Sequence, residues 1–148
     1  MERRQTLPVS WFVLTGPESL DVLRRLPRDT GVLVLPGLSP RDLRAVRRAA
    51  RTRRLSLIME QPGAPLRVHS MRELRKALGN PAPLIFVSPL NVTRSHPDWE
   101  PLPRMRAATL ARLAGRRAIA LGGMDARRYA KITPLGFIGW AGISAFRT

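Results

Sequence analysis

The stretch "GVLVLPGLSPRDLRAVRRAARTRRLSLIME", Gly31 to Glu60, decides the fold class. Its first run, Gly31–Leu35, is apolar without polar alternation, the mark of a strand buried on both faces. A helix follows from Ser39, with Ser39 as N-cap, Pro40 at the first helical position and Asp42 three residues after the cap. Leu43, Val46 and Ala50 form its apolar stripe. A third run, Leu55–Glu60, reads as another strand. Strand, amphipathic helix and strand in this order make a crossover between parallel neighbours.

The same alternation extends in both directions. Upstream, Trp11–Thr15 is a strand, and "GPESLDVLRRL" is a short helix with Leu20, Leu23 and Leu26 inward. Downstream, Ser70-Met71-Arg72-Glu73 is a capping box opening a helix with Leu74, Ala77 and Leu78 inward. Pro83–Ser88 is a strand. Pro103–Ala114 is a helix with Ala107, Leu110 and Ala114 on one face, ended by Gly115. "AIALGG" is the next strand, Asp125 caps a short helix, and "GFIGWAGIS" is the last strand. The expectation is one parallel α/β domain over residues 1–148.

One connection breaks this rhythm. Only "QPGAP", Gln61–Pro65, separates Glu60 from Leu66. A parallel neighbour needs a crossover of roughly ten to twelve residues. Leu66–His69 therefore cannot pair simply with Leu55–Glu60, and one β/α unit is missing or the segment is irregular. Open strand edges invite pairing with another chain, so either a homodimer or a local rearrangement is expected to cover this gap.

The net charge of +16 resides almost wholly on Arg, since Lys76 and Lys131 are the only lysines. It favours anionic partners without specifying them. The lack of Cys excludes disulfides, thiol catalysis and thiolate metal sites, and fits a cytoplasmic protein. No apolar run approaches a membrane span, and Trp11–Leu14 is too short for a signal-peptide core. Arg41, Arg44, Arg48 and Arg51 share a helix face that reads as solvated. With few aromatics for stacking, nucleic-acid binding through that face is the third-ranked reading.

Chemistry gathers at three strand ends. After Pro83–Ser88 come Ser88, Thr93, Ser95 and His96; after the "AIAL" strand come Gly122 and Gly123; after the last strand come Ile143 and Ser144. Glycines let backbone N–H groups approach a ligand closely. A glycine pair and a small-residue turn on consecutive late strands suit a phosphate at the mouth of a parallel barrel. His69, just ahead of a helix cap, reads as structural. Trp140 reads as core or helix-facing, and Trp99 as a cover over the barrel mouth or a subunit contact.

"FVSPLNVTRSHP", "AIALGGM" and "GFIGWAGISAF" at these spacings resemble the carboxyl-terminal half of thiamine-phosphate synthase and its relative, the thiazole tautomerase (TenI-like). The likeness runs from about Val68 to Phe146. It implies a (β/α)8 barrel shortened by about one unit, and a reaction joining a hydroxymethylpyrimidine diphosphate to a thiazole phosphate with release of pyrophosphate. It further implies that Thr93 and Ser95 grip the diphosphate, with His96 where many members have Lys. Gly123, Ile143 and Ser144 match positions for the thiazole phosphate, and Glu60 falls where the family has a magnesium-binding Asp. The family's second metal Asp falls in the region replaced by "QPGAP", and Arg67 replaces a family Ser. The alternative to an active transferase is thus a degenerate homologue that binds a phosphorylated metabolite or a partner without turnover. No catalytic residue is assigned at this level.

Overall fold

The structure, a computed structural model, describes residues 7–80, 83–94 and 96–147. Among these residues seven strands form one all-parallel sheet: β1 (Ser10–Leu14), β2 (Gly31–Val34), β3 (Ser56–Met59), β4 (Arg67–Val68), β5 (Ile85–Val87), β6 (Ala118–Leu121) and β7 (Gly139–Gly142). Their spatial order is β3-β2-β1-β7-β6-β5-β4. Sequence order is therefore that of a ring, cut between β3 and β4. This is the place where "QPGAP" is too short to cross over.

The pleat explains how a sheet apolar on both faces is packed. Trp11, Val13, Leu33, Phe86, Ile119 and Ala141 point to one side, where they meet Ile58 and Leu66 in a single inner cluster. The alternate residues, such as Phe12, Val32, Ile85 and Ala120, point outward beneath the helices. One cluster that gathers side chains from both ends of the strand order shows that the sheet is curled, in an α/β barrel-like fold. Trp11 fills the inner layer, fully buried and edge-on to Phe86 at 6.0 Å. Its Nε1 donates to the Pro8 carbonyl at 2.9 Å, so the indole leaves no polar atom unpaired.

Among the described residues four α-helices cover the outside: α1 (Pro40–Arg53), α2 (Met71–Leu78), α3 (Arg104–Ala114) and α4 (Ala126–Ala130). Three begin on the caps read from the sequence. Ser39 accepts from Asp42 N, Ser70 from Glu73 N and Asp125 from Arg128 N. The segment Pro17–Arg25 is a 3-10 helix. Its three-residue repeat matches the spacing of Leu20, Leu23 and Leu26 better than an α-helix would. Trp140 faces outward and stacks on Phe146 at 5.3 Å, as a helix-side core residue. The first strand is as long as its apolar run and shifted by one residue, whereas the others are shorter than theirs: β5 keeps three of the six residues of Pro83–Ser88, and β7 four of the nine of Gly136–Ser144.

The cut is bridged locally. Gln61 and Ala64 form a small antiparallel bridge, and Arg67 donates from Nε and Nη2 to both oxygens of Glu60, at 3.0 and 2.9 Å. Glu60 follows outward-facing Met59 and so faces inward, as does Arg67 opposite inward Phe86. Side chains make the joint that the backbone does not. Among the described residues, no helix is long and apolar enough to cross a membrane.

Candidate functional site

Inside the curl, at the carboxyl ends of the strands, lies a cavity of about 550 Å³. The chain places Ser88, Thr93, His96, Gly122, Gly123, Ile143 and Ser144 on its wall, although they come from three separate strand ends. Ser95 lies outside the described residues. Glu60 is not on that wall; its partner Arg67 is.

The wall is held by backbone. Leu90 N donates to Leu121 O at 3.0 Å, and Asn91 N and Nδ2 both donate to Gly122 O at 3.1 Å. The loop after β5 is thereby tied to the end of β6. Gly122 and Gly123 have φ of 109° and 59°, where side-chained residues are strained. A Cβ on Gly122 would come within 2.9 Å of Leu90 N and Pro89 Cα, and one on Gly123 within 2.7 Å of Val92 O. The glycine pair is required by conformation and by space. Thr93 Oγ1 accepts from His96 N at 3.0 Å, which leaves its hydroxyl proton free to donate. Ser144–Phe146 is one short 3-10 turn directly after β7.

His96 lies flat against Trp99, rings 3.9 Å apart and 8° from parallel, and Trp99 stands edge-on to His69 at 5.5 Å. Trp99 thus covers one side of the mouth. Arg94 and Arg128 add positive charge to the wall, whereas the charge of Arg67, also on the wall, is matched by Glu60. The lining carboxylate Asp125 is already engaged in capping α4 through Arg128 N, at 2.8 Å. Arg128 also donates from Nη1 to Gly123 O, fixing its guanidinium beside the glycine pair. These lining charges favour a negative group over a positive one.

The residue types that magnesium prefers do not assemble. The cation takes several oxygen ligands in a near-octahedral set. Both oxygens of Glu60 are taken by Arg67, and the described residues contain no group of three or more His, Cys, Asp or Glu close enough to share a metal. This donor set does not fit a magnesium ion.

Sequence reasoning missed Arg67, His69, Arg94 and Arg128. For Arg67 and His69 a signal was present: they flank Val68, which packs outward, so both point the other way at a strand end. The register of β4 against β5 pairs Val68 with Val87. The next residues on each strand, His69 and Ser88, therefore meet, with Ser88 Oγ 3.3 Å from His69 Nε2.

No protein-family model matches this chain, and no curated protein matches it. Among solved structures, that of a FabK mutant from Thermotoga maritima is similar at 16% identity and a TM-score of 0.46. The similarity covers 94% of this chain and 44% of that one, so this chain spans less than half the length of that neighbour.

Proposed function

We propose that this is a thiamine-phosphate synthase-like protein whose cavity holds a thiazole phosphate or a similar small phosphorylated metabolite. The observation that carries the reading is the convergence of the Gly122-Gly123 pair, the Ile143-Ser144 turn, Thr93 and His96 on one arginine-lined cavity. Backbone amides, the Thr93 hydroxyl and fixed guanidinium groups are the donors a phosphate requires. In the synthase reaction the thiazole nitrogen attacks the pyrimidine methylene carbon, and the carbon–oxygen bond to the leaving pyrophosphate breaks. Here the cavity's arginines would carry the charge of that leaving group.

A second reading, binding without turnover, is favoured by the Glu60–Arg67 pair, which occupies the family's metal position. One assay separates the two. With both purified substrates and magnesium, thiamine phosphate formed above background supports the transferase; thiazole-phosphate binding without product supports the degenerate homologue. Gly123→Ala is expected to weaken that binding at least about tenfold by calorimetry, the loss of roughly one charge-assisted hydrogen bond. Unchanged affinity would move the phosphate elsewhere.

For assembly, we propose that the free edge of β3 pairs with a second copy of the chain. Sedimentation at monomer mass across a wide concentration range overturns this.

A further inference from the structure

We propose that Ser88, His69 and Glu73 form a nucleophilic relay able to hydrolyse carboxylic esters that carry a negative charge. The relay is built by strand register and a helix cap. His69 and Ser88 are the residues that follow the paired Val68 and Val87, and both face the cavity. Glu73 sits in the first turn of α2, four residues after His69, and its Oε2 lies 3.1 Å from His69 Nδ1. An ionised carboxylate only accepts hydrogen bonds, so Nδ1 is the donor. Nε2 of the neutral ring is then the acceptor, and Ser88 donates to it at 3.3 Å. A hydroxyl on a base that is itself oriented by a third group is the arrangement of an activated serine. Ser88 is buried from bulk water but lies on the cavity wall.

The chemistry closes on these groups and water. Ser88 Oγ attacks the ester carbonyl carbon while its proton passes to His69 Nε2, and Glu73 steadies the imidazolium. The carbon–oxygen bond to the alcohol breaks, and the alkoxide takes the proton from Nε2. Water then gives a proton to Nε2 and attacks the acyl group, and Ser88 departs with that proton as the carboxylic acid leaves. Arg67, Arg94 and Arg128 on the same wall select substrates with an anionic group.

The test uses the full chain with an alkyl fluorophosphonate and two esters, anionic 4-nitrophenyl hydrogen succinate and neutral 4-nitrophenyl acetate. Mass spectrometry is expected to find the adduct on Ser88, and the anionic ester to be cleaved faster. His69→Ala should slow both labelling and cleavage by about 10²-fold or more, the usual contribution of a general base. Glu73→Gln should slow them by roughly tenfold, as expected for loss of an orienting partner. Circular dichroism and thiazole-phosphate binding of each variant separate loss of chemistry from loss of fold or of the pocket. Wild-type protein that leaves Ser88 unlabelled, or folded His69→Ala labelled at the wild-type rate, overturns the proposal.

Discussion

Two junctions of the ring make opposite choices. At one, β1 and β7, the first and last strands of the chain, pair through Ser10↔Trp140, Trp11↔Ala141 and Phe12↔Gly142. At the other, β3 and β4 are neighbours in sequence yet share no ladder in the strand order. Proximity along the chain does not decide pairing. The crossover does, because a parallel partner must be reached by a return over the outside of the sheet. The distant pair is delivered by the intervening units, each with its own return. The near pair is held too close to turn, and an ion pair does the joining.

The largest effect is expected at the backbone junction. A Cβ on Gly139 would stand 2.4 Å from Val9 O, the carbonyl that accepts from Trp140 N at 2.8 Å. No side-chain movement relieves that clash, so Gly139→Ala should destabilise the fold by about 3 kcal/mol in urea titration. Loss below about 0.5 kcal/mol, within the range of ordinary surface substitutions, would mean that this junction is not needed for closure.

A smaller loss is expected at the side-chain junction. Arg67→Leu leaves the Glu60 carboxylate, 3% exposed, without its partner. Breaking a fully buried pair costs roughly 3–5 kcal/mol. Arg67 is 36% exposed, so solvent screening reduces the expected loss to about 2 kcal/mol. Replacing both residues with Leu should recover most of it, because the penalty lies in the stranded charge. If the double variant is no better than the single one, the pair is contributing geometry instead.

The smallest effect concerns the late half alone. Tyr129, the sole tyrosine, donates to Phe137 O at 3.2 Å, and burial raises its pKa above the ordinary tyrosine value. Its contribution to stability is therefore full below the unfolded tyrosine range and is lost as pH rises through the folded value. Tyrosinate absorbance in the native protein should rise at higher pH than in urea. Coincident curves would remove the buried phenol from the account.

Much of the fold was legible because it rests on local patterns. Ser39, Ser70 and Asp125 announce their helices, and the length of Gln61–Pro65 locates the cut. The strand-end residues of the site could be named individually, since glycine pairs and hydroxyl clusters stand out in a chain of apolar runs. What escaped was relational. That His69 meets Ser88 depends on a two-residue register between β4 and β5, and that Arg67 takes Glu60 depends on how tightly the sheet curls. His69 read as structural from its place before a cap; its pairing across the sheet was invisible to that local view. Arg94 and Arg128 were lost for another reason, as two cations among many in a chain of this charge.

The cut also makes the molecule open to extension. Every ladder bond in the ring lies elsewhere, so a spliced strand-and-helix module between Gln61 and Pro65 would displace only one small bridge and one ion pair. A scaffold that already curls without its eighth stave offers a ready test bed for grafting: the incoming strand would insert between β3 and β4, the two ends of the strand order, and success can be read as recovery of a continuous hydrogen-bonded ring.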